Sequence, residues 1–283
     1  RWGVFFCMGG TGKLVDELGA LMQRHGIHIQ LAADVDEIVL ESKRATGVRL
    51  NSGETLNADI VVFGGDPETC YKHLLPAKKT FSLPTIKKQY SMGLYVLYFG
   101  TRKLYPDVAH HSIWMGPRFQ ELLSEIFDSK QMSEDFSLYV HRPTATDKSF
   151  APDGCESFYV LCPVPNLLGD VNWETEGPVL RDRIVTALEE TILPELSSVI
   201  EEVFWMTPED FAKDYRSMHG AGFSIEPRLT QSAWFRFHNR DRAISNLYFV
   251  GAGTHPGAGL PGVVSSAKVV EELLTGVEVG SGG

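Results

Sequence analysis

Glycines near the C-terminal end are the residues whose type and spacing point most directly to chemistry. Residues 251–262 read GAGTHPGAGLPG, and the last six spell G-x-G-x-x-G, the dinucleotide-binding fingerprint. That fingerprint needs its first glycine directly after a strand, and it needs a second strand with an acidic residue about 20 residues later. Here the preceding strand is predicted to end at Val250, well before Gly257, and only 21 residues follow Gly262. We therefore do not expect a Rossmann unit at this position.

The same glycines permit a different contact, between backbone and ligand. Gly251 and Gly253 remove side chains directly after the strand, and Gly262 is predicted to open a helix over 263–274. Free N–H groups at such a helix start favour an anion or developing negative charge. The simpler alternative, a surface loop without a ligand, stays open because glycine and proline also serve ordinary turns.

The elements that must position this loop are predicted from hydrophobic periodicity and turn residues. Helices are predicted over 10–26, 118–128, 178–193 and 263–274, with another starting after a Thr207 cap. Strands are predicted over 27–31, 35–40, 47–50, 58–63, 92–100, 136–140, 157–162 and 244–250, with a hairpin turn at 51–54. The apolar run 58–63 is typical of a fully buried strand, and it ends in Gly64-Gly65-Asp66-Pro67, a tight turn where backbone can approach a ligand.

The order of these elements predicts an α/β plus α+β fold with one domain split by another. Residues 1–77 form an α/β piece, and residues 78–242 form a mixed inserted domain. Residues 243–283 supply a strand, a loop and a helix, and we expect them to return to the first domain. The chain begins at Arg1 without methionine or signal peptide, so we expect a fragment of a longer protein.

Composition and charge exclude several classes of function. The 43% hydrophobic and 22% charged content is typical of a soluble globular protein. A net charge of −10 without a long basic run argues against a nucleic-acid partner. No stretch approaches 18 apolar residues, so no transmembrane helix is expected, although a peripheral membrane contact stays open. The four cysteines, at positions 7, 70, 155 and 162, form no C-x-x-C pair and have no zinc-type histidine pattern near them. We expect buried reduced thiols and no metal site.

Several stretches, in order along the chain, resemble the bacterial-type phytoene desaturases, which are FAD-dependent carotenoid desaturases. The longest is residues 246–260, NLYFVGAGTHPGAGL, with Ser266 beyond it. The others are Gly9-Gly10-Thr11-Gly12 before a helix, MGLYVLYF at 92–99, SLYVH at 137–141, Glu226-Pro227, and TQSAWFR at 230–236. The resemblance extends over the whole chain, but the N-terminal Rossmann unit of that family is not in this sequence.

The resemblance implies a fold and a set of FAD contacts. The fold is an incomplete two-domain FAD-dependent oxidoreductase of the amine-oxidase and phytoene-desaturase type, with the substrate domain inserted into a split FAD domain. Val35 matches the strand whose backbone meets the adenine, and Gly64, Gly65 and Asp66 match the end of the strand that runs to the diphosphate. Gly253 and Thr254 match the turn near the ribityl–diphosphate region. Gly262, Val263 and Val264 match the helix start beneath the isoalloxazine.

The resemblance also implies a reaction and a substrate. The substrate would be a lipophilic polyene, phytoene or a close relative, which loses a hydride to flavin N5 and a proton from the neighbouring carbon. The catalytic base is not assigned, and His255 is expected to order the loop by hydrogen bonds. Aromatic residues of the insert are candidates to line an apolar tunnel: Tyr95, Tyr98, Phe99, Trp114, Phe119, Phe223, Trp234 and Phe235. A cytoplasmic protein attached peripherally to the membrane is expected, with Phe119–Phe127 as one candidate contact; the oligomeric state is not predicted.

Alternative functions stay open on the same scaffold. Carotenoid isomerase, C30 desaturase and carotenoid oxidase are sister activities that the resemblance does not separate. A catalytically inactive fragment that only binds or assembles is a further alternative. Because the ADP-binding fingerprint is not in this sequence, we expect the 283-residue chain alone to hold FAD weakly or not at all.

Overall fold

The computed structural model describes residues 3, 5–76 and 88–276, and these divide into two compact units. Unit 1 consists of Arg1–Leu31, Leu94–Pro165 and Gly169–Thr207. Unit 2 consists of Ala32–Gly93, Asn166–Leu168 and Pro208–Gly283. Both combine helices with sheet, so the α/β plus α+β class is confirmed. The predicted domain boundary at 77/78 and the tail 277–283 lie outside the described residues, and the predicted domain limits stay a prediction.

The described residues contain seven α-helices and ten β-strands. The helices are α1 (Gly10–Arg24), α2 (Pro67–Thr69), α3 (Phe119–Ser124), α4 (Trp173–Thr191), α5 (Leu196–Val199), α6 (Pro208–Asp214) and α7 (Leu260–Thr275). The strands are β1 (Val35–Glu41), β2 (Arg44–Leu50), β3 (Thr55–Asn57), β4 (Val61–Phe63), β5 (Gly93–Thr101), β6 (His111–Trp114), β7 (Leu138–His141), β8 (Glu156–Val164), β9 (Ile200–Met206) and β10 (Leu247–Phe249).

Unit 1 is built on a five-stranded sheet in the order β6–β7–β8–β5–β9. The helix α4 presents Leu180, Ile184 and Leu188, all fully buried, at every fourth position, which is the spacing that predicted it. It begins at Trp173, five residues earlier than predicted. The reason is Asn172, whose side-chain oxygen accepts hydrogen bonds from the N–H groups of Glu174 and Thr175 at 3.1 and 3.3 Å.

Two predictions in unit 1 need correction. The stretch 27–31 was expected to be a strand, but it has no strand assignment and its apolar residues are exposed, Leu31 by 84%. Alternating apolar residues form a strand only when a neighbouring strand completes the hydrogen-bond ladder, and no described strand pairs here. The predicted helix over 118–128 is shorter: α3 ends at Ser124 and continues as a π-helical turn, Glu125–Ser129.

Unit 2 contains two small sheets. The strands β1, β2 and β3 form an antiparallel sheet, with the predicted hairpin turn between β2 and β3. The strands β4 and β10 pair in parallel, with Val61 opposite Leu247 and Phe63 opposite Phe249. This pairing brings the C-terminal strand back to the first part of the chain, as predicted. One core cluster of the unit contains Ile38, Ala45, Val61, Cys70, Leu75, Ile244, Leu247 and Phe249, and a second contains Tyr90, Ala221, Ile225 and Phe237.

Asn246 holds these two sheets of unit 2 together. Its side-chain oxygen accepts a hydrogen bond from the N–H of Ala45 at 2.8 Å, and its amide group donates to the carbonyls of Ala45 and Asp59 at 2.7 and 2.6 Å. The side chain is 6% exposed. A buried amide of this kind stabilises the fold because it satisfies backbone groups that would otherwise lose water without a partner.

Three expectations about unit 2 and the cysteines were wrong in part. The run 58–63 forms only the three-residue β4, and Ile60 and Val62 are 44% and 46% exposed, because a two-stranded sheet leaves one face uncovered. The helix α7 begins at Leu260, so Gly262 lies inside its first turn. Among the cysteines, Cys70 and Cys162 are buried free thiols as expected, whereas Cys7 is exposed and Cys155 is half-buried.

Candidate functional site

Three glycine-containing segments of unit 2 meet at the carboxyl ends of β4 and β10. Because the two strands are parallel, the turn after β4 and the loop after β10 leave the same edge of the sheet. The N–H of Val250 donates to the carbonyl of Phe63 at 3.0 Å, and the N–H of Gly251 donates to Ser266 Oγ at 2.8 Å. These bonds join the strand-end turns to the first turns of α7. We call residues 64–66, 251–254 and 260–264 the glycine-loop site.

Most glycines at this site are required by the packing of the chain itself. A Cβ at Gly253 would lie 2.5 Å from Pro67 Cδ, and a Cβ at Gly262 would lie 2.5 Å from the carbonyl oxygen of Gly257. A Cβ at Gly65 would lie 2.6 Å from the Phe63 ring. All three separations are far below van der Waals contact. These glycines therefore shape the loop whether or not a ligand is present.

Gly64 differs from the other glycines. It is exposed, and the nearest atom to a Cβ placed there is Val250 Cγ2 at 3.7 Å, an ordinary contact. The protein itself therefore does not require glycine at this position. A close approach by a ligand is one physical reason for glycine at such a strand end.

The loop after β10 turns its polar groups inward. Thr254 is fully buried, and its hydroxyl donates to the carbonyl of Gly251 at 3.0 Å. The N–H of His255 donates to the carbonyl of Phe237 at 3.0 Å, and its carbonyl accepts from Asn239 at 2.9 Å. Both are hydrogen bonds of its main chain, so the expectation that the histidine itself orders the loop stays a prediction. Its ring Nδ1 is buried and has no hydrogen-bond partner.

The start of α7 is apolar and accessible. Leu260 and Val264 are 60% and 67% exposed, whereas Val263 is half-buried and its N–H is bonded to the carbonyl of Gly259 at 2.9 Å. No side chain caps the helix at Gly259. The positive end of a 16-residue helix therefore lies beside exposed apolar side chains, an environment suited to a planar ring system that carries negative charge.

Asp66 is the ionisable group at the end of β4. One of its carboxylate oxygens accepts from the N–H of Glu68 at 3.0 Å and caps α2, and the other accepts from the Ser224 hydroxyl at 2.8 Å. Burial raises the pKa of the Asp66 carboxyl above its ordinary value, and these two hydrogen bonds oppose that rise. The carboxyl is therefore held in place by the fold.

Val35 is separate from the hydrogen bonds that join the glycine-loop site. It is half-buried at the start of β1 and pairs with Leu50 in the three-stranded sheet. The preceding residue, Asp34, forms an ion pair with Arg216 at 2.6 Å and accepts a hydrogen bond from the Asn51 side chain. These contacts hold the start of β1 in place within unit 2.

Arg236 is a site residue that the sequence reasoning did not single out. It is 4% exposed, and its guanidinium donates to the carbonyls of Ala252 and Ile225 at 2.7 and 3.1 Å. Burial lowers the pKa of this guanidinium, while the charge of Asp66 opposes that effect. Its Nε is buried without a partner. In the sequence, only its place in the stretch 230–236, which resembles the family, indicates Arg236. Nothing in the sequence shows that its guanidinium reaches the loop after β10.

The aromatic candidates for an apolar tunnel separate by exposure. Tyr95 and Phe99 are 0% and 3% exposed, and the Tyr95 hydroxyl donates to the carbonyl of Gly177, so both belong to the core of unit 1. In unit 2, Phe223, Trp234 and Phe235 are exposed and available for contact. The candidate membrane stretch 119–127 buries Leu122 and Ile126 in unit 1, so its apolar face is largely core. Within the described ranges, every helix is too short or too polar to cross a bilayer.

Comparison with known proteins identifies relatives of this chain. No family model matches it. It is 48% identical over 278 residues to a lycopene-forming phytoene desaturase of Paracoccus sp., covering 97% of this chain and 56% of that protein. It is 42% identical over 283 residues to a neurosporene-forming phytoene desaturase of Rhodobacter capsulatus, covering 97% of this chain and 54% of that protein. The chain thus spans about half the length of the curated relatives it matches.

A solved structure supports the fold. An oxidoreductase from Methanosarcina mazei superposes with a TM-score of 0.61 at 16% identity, over 94% of this chain and 55% of that protein. At this identity the similarity concerns the fold alone. The sequence identities show that this chain is similar to bacterial phytoene desaturases over 97% of its length.

Proposed function

We propose that the protein containing this chain is an FAD-dependent carotenoid desaturase that acts on phytoene or a related polyene. The observation that carries the proposal is the 48% identity to a lycopene-forming phytoene desaturase over 97% of the chain. An oxidoreductase fold with two parallel strands ending at a glycine-rich edge is compatible with a dinucleotide cofactor. The sister activities share this scaffold, and the experiment below separates them.

The glycine-loop site fits part of an FAD molecule. Gly64 and Gly65 are exposed at the strand end, and Gly64 leaves room for close approach. Val264 and the uncapped start of α7 offer an apolar surface next to a positive helix end. Bound FAD would supply the hydride acceptor, and reduced flavin carries negative charge that a helix start favours.

The predicted contact residues then have two kinds of role. Gly64, Gly65 and Val264 are accessible and would touch the cofactor. The remaining residues, Gly253, Thr254, Gly262 and Val263, together with Asp66 and Arg236, would hold the loop in the shape that the cofactor needs. Val35 would contact the adenine from β1 through its backbone, and this placement rests on the family resemblance.

The substrate proposal rests on chemistry that needs little charge. Removing a hydride and a proton from neighbouring carbons of a hydrocarbon requires an apolar surface and close placement against the cofactor. Phe223, Trp234 and Phe235 are exposed aromatic residues of unit 2 and are the best candidates to contact a polyene or the lipid that carries it. Attachment to a membrane surface follows from where such a substrate dissolves.

Expression of the full-length protein in a phytoene-accumulating host tests the proposed function. Chromatography and absorption spectra of the extracted pigment measure the number of conjugated double bonds. We expect neurosporene or lycopene, with a bound flavin in the purified protein. A change of double-bond geometry without a change in number would instead assign an isomerase. Oxygenated products would assign an oxidase, and activity restricted to a C30 substrate would assign a C30 desaturase. Phytoene left unchanged by a folded, flavin-loaded protein would overturn the proposal.

A further inference from the structure

Three histidines that are distant in the sequence meet at one edge of the five-stranded sheet of unit 1. The pairing of β6 with β7 places His111 opposite His141, and His110 directly precedes β6. One ring nitrogen of each histidine lies within 4.8 Å of the others. No metal site was expected from the sequence, because the cysteines and the histidines near them lack zinc-ligand spacing. The three histidines come together only through the pairing of the strands.

The distances within this cluster suit a shared cation. The Nε2 atoms of His110 and His141 are 2.8 Å apart. At this separation one neutral imidazole donates its N–H to the lone pair of the other, and when that proton moves to Nδ1 both Nε2 lone pairs can instead converge on a metal ion. A tetrahedral zinc with Zn–N distances of about 2.0–2.1 Å holds its nitrogen ligands roughly 3.3 Å apart. Nitrogens that are now as much as 4.8 Å apart therefore need to approach by roughly 1.5 Å to form a coordination site.

The opposite ring nitrogens are already oriented by oxygen atoms. Nδ1 of His110 lies 2.5 Å from the Thr146 hydroxyl, and Nδ1 of His111 lies 2.6 Å from the Tyr139 hydroxyl. When Nδ1–H donates to an oxygen, the lone pair is on Nε2, and metal-binding histidines are usually oriented in this way. Nδ1 of His141 is buried without a partner. Two of the three rings thus have the outer contacts of a metal ligand.

The surroundings select the kind of ion. Phe6 and Tyr159 pack edge-on against the cluster, with ring centroids 4.6 Å from His110 and 4.7 Å from His141. The neighbouring charge of Arg142 is compensated by Glu156, because the two form a buried ion pair at 2.7 Å. Three imidazoles favour zinc, copper or nickel over magnesium or calcium, which prefer oxygen ligands.

We propose that His110, His111 and His141 bind one divalent transition-metal ion of the zinc class through their imidazoles. The rings now stack within 10–26° of parallel, so binding tilts them toward a common centre. The exposed His111 has the most room to turn. A bound ion would join β6 to β7, and its fourth position would remain open to solvent.

Equilibrium dialysis of the purified full-length protein against zinc, with metal analysis by mass spectrometry, tests the proposal. We expect one zinc per chain, and loss of that zinc in His111→Ala and in His141→Ala. The control variant His25→Ala/His28→Ala removes two exposed histidines outside the cluster and should retain the zinc. Circular dichroism confirms that each variant is folded. The His111 variant keeps the test valid if the partly buried His141 is needed for folding.

A second variant separates a built site from chance binding. Tyr139→Phe removes the oxygen that orients His111, and loss of such an outer contact weakens metal affinity by about tenfold or more. We expect this weakening in calorimetric titration with zinc. Two results would overturn the proposal. One is equal zinc affinity in the wild type, Tyr139→Phe and His111→Ala. The other is a folded wild-type protein that retains no zinc, in which case His110 and His141 share a proton.

Discussion

Gly64 and Gly262 look alike in the sequence, but a side chain at each would meet different surroundings. At Gly262 a Cβ would collide with the carbonyl of Gly257, whereas at Gly64 it would make one ordinary contact with Val250. Replacement of Gly262 therefore perturbs the loop directly and gives no information about a cofactor. Gly64 is the position at which cofactor contact and protein packing can be separated.

We predict that Gly64→Ala lowers flavin content without lowering stability. Its backbone is outside the left-handed region, so alanine fits the folded chain, and it reduces the entropy of the unfolded chain. The added methyl group would occupy space that the cofactor approaches. Flavin per chain, measured by absorbance, should fall, while the urea midpoint of the flavin-free protein should stay at the wild-type value or rise slightly.

The comparison variant is Gly262→Ala, which should destabilise the protein by about 1–3 kcal/mol, the usual cost of forcing extra atoms into a packed site. Urea unfolding measures this difference. Full flavin content in Gly64→Ala at unchanged stability would remove Gly64 from the cofactor contacts.

The site could be predicted from the sequence only in part. The pattern from 246 to 262 located the loop, and the apolar run before Gly64 located the second strand end. Contacts with Pro67 and Phe63 decide which glycines are required by packing and which leave room for a ligand. The residue type glycine does not by itself indicate these contacts. Arg236 was missed for the same reason, because its carbonyl partners are set by the folded loop.

At the scale of elements, the turn from β4 into α2 depends on one carboxyl group. Asp66 caps α2 and accepts from Ser224, and burial raises its pKa above the ordinary value of 3.8. A folded-state pKa above the unfolded one means that Asp66 contributes most to stability when protonated, below its unfolded pKa. That contribution is lost as the pH rises through the raised pKa.

We predict that Asp66→Asn becomes progressively more stable relative to wild type as the pH rises from about 4 toward neutral. The amide oxygen can still accept from the N–H of Glu68, and the amide N–H can donate to the Ser224 hydroxyl. Urea unfolding at a series of pH values measures the difference in free energy of unfolding. The control Glu54→Gln changes an exposed carboxylate in a hairpin turn of the same unit. A difference that does not depend on pH would contradict the prediction.

A second prediction concerns the link between the two sheets of unit 2. Asn246→Ala removes the side-chain partner of both the N–H and the carbonyl of Ala45, which is fully buried, and each such group costs about 1–3 kcal/mol. We expect a loss of at least about 2 kcal/mol in the free energy of unfolding.

The matched control for this substitution is Asn51→Ala in the same unit, where an exposed amide makes one hydrogen bond to Asp34. It should cost less than about 1 kcal/mol. Equal losses of unfolding free energy in the two variants, measured by urea unfolding, would show that the Asn246 hydrogen bonds do not stabilise the contact between the two sheets.

Elements with strong internal periodicity were predicted well, and elements that depend on partners were not. The spacing of Leu180, Ile184 and Leu188 is a property of α4 itself, so the sequence was sufficient to predict a helix there. The stretch 27–31 has the alternation of a strand, but alternation cannot supply the neighbouring strand that a ladder needs. The same limit concealed the histidine cluster, which exists only because β6 pairs with β7.

At the scale of the whole molecule, a net charge of −10 limits how the protein can meet a membrane. Anionic lipid repels such a chain at low salt, so any attachment to a membrane surface would have to rest on apolar contact. Trp234 and Phe235 are 67% and 63% exposed, and Leu229 nearby is 91% exposed. When apolar side chains of this size move from water into the lipid–water interface, the burial of their surface favours membrane binding.

We predict that the full-length protein binds neutral phosphatidylcholine vesicles more tightly than vesicles rich in phosphatidylglycerol, and that Trp234→Ser/Phe235→Ser weakens this binding. Vesicle co-sedimentation at low salt measures both effects. The control Phe204→Ser changes an aromatic residue of β9 that is 59% exposed in unit 1. Equal binding by the double variant and the wild type would place the membrane contact elsewhere.

The parallel pairing of β4 with β10 also has a consequence for how the protein is made. Asn246 and its partner Asp59 are separated by 187 residues. A ribosome that adds ~5–20 residues per second needs roughly 10 to 40 s to synthesise that interval. During this time β10, the strand that pairs with Val61–Phe63 in the described chain, does not yet exist, and an unpaired strand edge is prone to aggregate. This long separation along the chain makes the glycine-loop site the last part of unit 2 to assemble, and the yield of folded protein should depend on chaperones and on slow translation.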